Sequence, residues 1–329
     1  MQTGPEAEHV LPVLASADRV ASRAALVRLH PEKIDSAVSK WGHMLSPAPL
    51  WDHPCHLCTA ALETARWIFT LDVLNHCFWP DAGEPVWTVR YRGSDRSGYW
   101  GLAASLKRAW EQGVPVTDPE WLAGVTEHEL ARVFSGKGRI PLFPERLMNL
   151  REAGSVILSD LDGDIVTLIE KASGSAVRLV REVVSHFPSF RDEAMYQGGR
   201  VFFWKRAQIF AADLFAAFNG KGAGGFGDIS RLTAFADYKL PQVLRELGIL
   251  TYRRDLADRI DSLTYLDPGS EPEIEIRSMT IVAVEEIRKA LDRAGTGATS
   301  AEVDGRLWQL GQKDEFRGRP YHRCRTIYY

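Results

Sequence analysis

The chain has 329 residues, 45% of them apolar and 25% charged, and a net charge of −3. That length fits one large or two closely packed domains of ordinary globular composition. The missing basic excess argues against a protein that grips a long stretch of DNA or RNA and favours a small ligand.

Residues Met1–Arg23 carry Glu6 and Glu8 near their start and only a broken apolar stretch, Val10–Ala17, so they do not read as a signal peptide. Apolar residues recurring at three and four predict helices over Pro31–Leu45, Leu62–Phe78, Tyr99–Gln112, Glu127–Phe134 and Glu145–Ala153. The same pattern returns over Ala176–Phe187, Trp204–Phe218, Pro241–Leu247 and Ile281–Ala294. Strands are predicted only at Val86–Tyr91, Val201–Trp204 and Glu273–Ile276, and Gly/Pro clusters mark loops at Asp81–Pro85, Asn219–Gly227 and Asp267–Pro272. The best membrane candidate, Val201–Phe218, is interrupted by Lys205, Arg206 and Asp213, so no membrane partner is expected. Four cysteines make no disulfide framework, and a cytoplasmic, reducing compartment is the expectation. The pattern gives a mainly α protein with a small β element. Residues 1–60 read as an N-terminal helical segment packed on the main body. Residues 61–329 read as that body, one compact unit with two lobes.

Several side chains stand out. Asp237 is a single carboxylate in the apolar run Thr233–Gln242; desolvating it unpaired is expensive, so it is a helix cap, an ion-pair partner or a group that does chemistry. Lys205, Arg206 and Asp213 fall within an arc of about 100° on a helix otherwise apolar after Arg206. They form either a structural ion network or a cationic wall for a phosphate with Asp213 holding the cations. Asp72, Asn75 and Trp79 share a helix face by their spacing, beside Phe78. His53, Cys55, His56, Cys58, His76 and Cys77 reach a zinc-ligand count on paper, but Cys58 opens a helix-forming apolar run, and no metal or other cofactor is expected. The glycine-rich run from Gly220 lacks the ending of a P-loop, and Asp160–Asp164 lacks the Glu that closes a calcium loop. The chain closes on Tyr321–Tyr329, a cationic and aromatic tail with no acid.

The runs Ser97-Gly98-Tyr99-Trp100, Ile140-Pro141-Leu142, Phe187–Asp192, Lys205-Arg206-Ala207-Gln208, Gly220-Lys221-Gly222, Thr233–Gln242, Glu273–Arg277 and the terminal Tyr328-Tyr329 occur in order over residues 70–329. Taken together they resemble the queuosine salvage protein family, N-glycosidases that release queuine from queuosine 5'-phosphate. The first 60 or so residues carry no matching run. The resemblance implies hydrolysis of queuosine 5'-monophosphate to queuine and ribose 5-phosphate, without cofactor, on a small molecule rather than a nucleic-acid polymer. It implies Asp237 as the carboxylate facing an oxocarbenium-like transition state, with Phe235 and Tyr238 as substrate contacts. It favours Lys205, and less strongly Arg206 and Asp213, for the phosphate, with help from His322, Arg323 and Arg325. It assigns Trp79 or Phe78 to stacking on the base and Asn75 or Asp72 to its edge or amine. Queuine is a 7-deazaguanine and lacks the N7 at which purines are often protonated, which shifts more of the burden to the sugar-side carboxylate. The family is distantly similar to helix-hairpin-helix DNA glycosylases, so that helical architecture is expected. Two alternatives stand beside this reading: a base-excision DNA glycosylase and a non-catalytic queuine or queuosine carrier.

Overall fold

The structure is a computed structural model and describes residues 10–41, 51–59 and 61–329. Most of the signal-peptide question (residues 1–9) and the end of the first predicted helix (42–45) lie outside the described residues. In chain order the helices are α1 (Val13–Ala21), α2 (Ile34–Trp41), α3 (Ala61–Val73), α4 (Gly98–Glu111), α5 (Pro119–Gly124), α6 (Glu127–Val133) and α7 (Phe143–Asp160). They continue as α8 (Val166–Ala172), α9 (Ala176–His186), α10 (Lys205–Ala217), α11 (Lys239–Glu246), α12 (Arg254–Asp261), α13 (Glu271–Arg293) and α14 (Ser300–Leu310). The strands are short: β1 (Val27–Leu29), β2 (Thr88–Tyr91), β3 (Ser94–Ser97), β4 (Glu193–Tyr196), β5 (Gly199–Phe202), β6 (Leu250–Tyr252), β7 (Tyr265–Leu266) and β8 (Arg323–Cys324). They pair only in twos: β1 with β6, β2 with β3 and β4 with β5 antiparallel, β7 with β8 parallel. The protein is therefore mainly α with small β elements. Among the described residues no helix is long and apolar enough to cross a membrane.

The chain divides into two compact units, each discontinuous in sequence. One comprises Met1–Pro49, Asp192–Gln208 and Ser230–Thr326; the other comprises Leu50–Arg191, Ile209–Ile229 and Ile327–Tyr329.

The first unit is built on α13, against which α1, α2, α11, α14 and β1 pack. Its start corrects the sequence reading. Glu273–Ile276 alternates charged and apolar residues and reads as a strand, yet it lies in the first two turns of α13. Glu273, Ile274, Glu275, Ile276 and Arg277 are all buried there. A helix buried on every side shows no 3.6-residue polarity pattern, and its charges are paired inside. Both Glu275 oxygens are engaged, taking the backbone N–H groups of Ala25, Leu26 and Val27 at 2.7–3.1 Å and the Tyr196 hydroxyl at 2.9 Å. This carboxylate therefore ties the chain entering β1 and the end of β4 to α13. The Tyr196-Gln197-Gly198-Gly199 corner joins β4 to β5 through Gln197 and Gly198 at positive φ, 45° and 80°, a two-residue turn whose twist suits a hairpin.

In the second unit α3 packs on α4, α7 and α8, and α5 lies along α7. Gly154, in the middle of α7, is required by that approach: a Cβ there would collide with the α5 backbone at Ala123 and Pro119. Helix α3 ends at Val73, which corrects the expected helix to Phe78. The reason is Arg146 of α7, fully buried, whose guanidinium takes the carbonyls of Leu74, His76 and Cys77, the last at 2.8 Å. Carbonyls that would have continued the helix ladder are thus satisfied by a side chain. Cys77 sits at φ +40°, and its N–H donates to the Tyr329 carbonyl at 2.8 Å.

Candidate active site

The run Thr233–Asp237 has no regular structure, so its backbone must find partners elsewhere. Three side chains of the first unit, Gln208, Asp304 and Arg277, supply them. The Thr233 N–H and hydroxyl donate to Gln208 Oε1 of α10 at 2.9 and 3.2 Å. The Phe235 N–H donates to Asp304 Oδ1 of α14 at 2.7 Å. Arg277 Nε of α13 donates to the Ala236 carbonyl at 3.1 Å. Asp237 follows, 8% exposed, and its Oδ1 accepts the N–H groups of Lys239 and Leu240 at 2.7 and 3.0 Å, capping the start of α11. Among the described residues Oδ2 accepts no hydrogen bond. The cap fixes the carboxylate plane through one oxygen.

Asp304 is the residue that sequence reading missed. It is 6% exposed, and burial first, then the nearby Asp237 carboxylate, push its pKa up to about 8, while the Phe235 N–H and Lys205 pull the other way. The raised value keeps the proton on Asp304 at neutral pH. A signal for it exists in the sequence. Ser300, Val303, Asp304, Leu307 and Leu310 share the buried stripe of α14, so Asp304 is a charge on an apolar face.

Lys205 opens α10 directly after Trp204, which takes positive φ, and both Lys205 and Arg206 are buried. Phe235 is buried; Tyr238 is half-buried and its ring lies 4.8 Å from that of Tyr321. In the tail, Arg323 is held in β8 against β7, and Arg323 and Arg325 are half-buried. His322 needs correction as a cation: burial first, then Arg277, depress its pKa to about 3, so it is neutral near pH 7.

The expected base-recognition residues lie in the second unit. Asp72 is fully buried in the last turn of α3, and Asn75 Nδ2 donates to its Oδ1 at 3.4 Å. Because the helix ends at Val73, Asn75, Phe78 and Trp79 lie on irregular chain and not on the predicted helix face. The Arg146 guanidinium stands 5.2 Å from the Phe78 ring centroid, and Trp79 is buried. Asp213 belongs with this set: together with burial, which weighs most, the Asp213 and Asp72 carboxylates drive the Tyr99 pKa well up.

Tyr99 leads to a second feature that the sequence did not disclose. His56 stacks on Trp51 with centroids 3.9 Å apart, its Nδ1 lies 3.1 Å from the Trp51 carbonyl, and its Nε2 lies 2.8 Å from the Tyr99 hydroxyl. A carbonyl can only accept, so Nδ1 carries the proton and Nε2 accepts from Tyr99. Burial, ahead of the other causes, lowers the His56 pKa to about 4. The His53 ring lies tilted against that of Trp100, with centroids 3.7 Å apart. These histidines, weighed above as zinc ligands, are thus components of an aromatic cluster.

A family model described as queuosine salvage protein matches residues 55–329. The chain belongs to the queuosine salvage protein family. Three relatives are named queuosine 5'-phosphate N-glycosylase/hydrolase. The protein of Sphaerobacter thermophilus is 44% identical over 97% of this chain and 98% of its own length. The Mus musculus protein is 37% identical over 80% and 81%, and the Schizosaccharomyces pombe protein 32% identical over 93% of each. The queuosine salvage match begins at Cys55, so it takes in the His56–Tyr99 cluster. The bacterial relative shares nearly all of the chain, including most of the N-terminal stretch from which the sequence runs transferred nothing.

Proposed function

We propose that this member of the queuosine salvage family hydrolyses the N-glycosidic bond of queuosine 5'-phosphate, releasing queuine and ribose 5-phosphate. The reading is supported by the names of its relatives and carried by one observation: Asp237 and Asp304 are both buried, and burial together with the Asp237 charge pushes Asp304 up to about 8, so Asp304 is an acid that keeps its proton. Asp237 is the carboxylate that stabilises the oxocarbenium-like transition state or positions and deprotonates water. Asp304 is the neutral acid that hydrogen-bonds to, or protonates, the leaving base, a role that a 7-deazapurine without N7 leaves open. Lys205 meets the 5'-phosphate as a buried ammonium. Arg206, Arg323 and Arg325 support the anion site. The same reading includes an architecture related to helix-hairpin-helix DNA glycosylases, a small-molecule substrate and action in the cytosol. The test is incubation of the pure protein with queuosine, its 5'-monophosphate and a queuosine-containing oligonucleotide, with released base measured. Release from the monophosphate supports the reading; release only from the oligonucleotide makes it a polymer glycosylase, and tight binding of queuine with no release makes it a carrier.

A further inference from the structure

Arg277 is 2% exposed and spends its guanidinium on three different parts of the chain. Nη1 and Nη2 meet the two Asp192 oxygens at 2.8 and 2.5 Å, Nη1 also reaches Glu273 at 3.3 Å, and Nε holds the Ala236 carbonyl at 3.1 Å. Its Cζ lies 3.8 Å from the centroid of the Phe203 ring. Asp192 is bound at both ends. Its carboxylate takes the arginine, and its main-chain carbonyl accepts the N–H groups of Phe203 and Trp204 at 2.9 and 3.3 Å, the two residues before Lys205. Gln208 makes a parallel tie, with Nε2 donating to the Phe203 carbonyl at 3.0 Å and Oε1 receiving Thr233. The segment that delivers Lys205 and the segment that delivers Asp237 are therefore cross-linked, and the bidentate Arg277–Asp192 pair is the stiffest link. A buried ion pair is weak evidence of stability in itself, since apolar residues of similar volume often serve as well. A fixed fork geometry does something that apolar packing cannot: it sets a distance between two backbones.

We propose that Arg277, locked to Asp192, is a positioning residue that sets the spacing between Lys205 and Asp237 and so makes the 5'-phosphate count toward the rate. The proposal rests on the reading of Lys205 as the phosphate ligand and Asp237 as the sugar-side carboxylate. Phosphate binding energy lowers the barrier only if gripping the phosphate places the anomeric carbon against the carboxylate. When the spacing loosens, the phosphate still binds but no longer aligns the sugar. A nucleoside, which has no phosphate to grip, feels the change less, only through the Asp237 run itself.

The test compares Arg277→Lys and Asp192→Asn with wild type on queuosine 5'-phosphate and on queuosine. Lysine keeps the charge but cannot make the fork; asparagine keeps the shape and the main-chain bonds, and it carries the test if the lysine variant does not fold. The expected result is a fall in kcat on the monophosphate of about tenfold to a hundredfold with KM within about threefold, and a kcat/KM on the nucleoside within about threefold. Equal losses on both substrates, or an undiminished preference for the phosphate, overturn the proposal and leave Arg277 a structural ion pair. If wild type shows no preference for the phosphate, the reading of Lys205 falls and this inference falls with it. If wild type shows the preference and these variants keep it, the inference alone falls.

Discussion

Asp304→Asn separates the charge of this side chain from its shape. The amide keeps an oxygen to accept the Phe235 N–H and donors where the acid carries its O–H, but it cannot ionise. In the wild type the Asp304 proton is held to about pH 8 against an ordinary value of 3.8. Between those values the folded protein binds a proton that the unfolded chain has lost. Stability from this group is complete at low pH and drains away as pH rises toward 8. From about pH 6.5 to about pH 8 the loss amounts to about 1–2 kcal/mol. That window avoids His56 and His322, whose depressed values of about 4 and about 3 act below their ordinary 6.5. Urea unfolding followed by tryptophan fluorescence across the window gives the difference between wild type and Asp304→Asn, in which other titrations common to both cancel. The difference should shift against the wild type by that amount, and in an Asp237→Asn background, where the neighbouring charge is gone, the window should move to lower pH. Parallel profiles for wild type and Asp304→Asn would show Asp304 ionised throughout and would refute the acid–carboxylate pair.

Lys205→Ala should lower kcat/KM on the monophosphate by about a hundredfold and on the nucleoside by less than about threefold; equal losses would place the phosphate site elsewhere. Arg146→Ala strips the carbonyls of Leu74, His76 and Cys77, and of Pro141 at 2.8 Å, of a buried partner. It should cost about 3–5 kcal/mol in urea unfolding, and a cost under about 1 kcal/mol would mean that the segment 74–77 finds other partners. Acid should destabilise the protein through His56, whose folded pKa lies below its unfolded value: stability is present above about pH 6.5 and falls by up to about 1.4 kcal/mol per unit toward pH 4. His56→Gln should flatten that limb, and an unchanged limb would show that the histidine is not held neutral.

The legible parts of the chain were those whose polarity follows a period. Helices α4, α6, α9 and α10 lie within a residue or so of their predicted bounds because each has one apolar face or a largely apolar body. The beginning of α13 was misread because burial on all sides removes the period, and its Glu-Ile alternation then imitates a strand. Strand β3, Ser-Asp-Arg-Ser, has no apolar residue to announce it; the Arg92-Gly93 turn and its pairing to β2 hold it. The end of α3 was invisible because a side chain some seventy positions away terminates it. In the site, Asp237 stood out as a charge in an apolar run. Arg277 did not, because Glu273, Glu275 and Ser278 beside it make a charge look ordinary, and Asp304 shows as a charge on an apolar face only once 300–310 is laid out as a helix. What makes them matter is which segment each one holds. The two compact units, each assembled from separated stretches, likewise have no boundary written in composition.

The central claim is tested most directly by a single-turnover comparison of wild type and Asp237→Asn on queuosine 5'-phosphate, with released queuine measured by chromatography. Asparagine retains the oxygen that accepts the Lys239 and Leu240 N–H groups, so the α11 cap and the fold should persist and queuine binding should stay within about threefold. The account predicts stoichiometric base release by the wild type and a rate lower by at least about two to three orders of magnitude in the variant. A folded variant that keeps more than about a tenth of the wild-type rate would contradict it and leave Asp237 as a helix cap and nothing more.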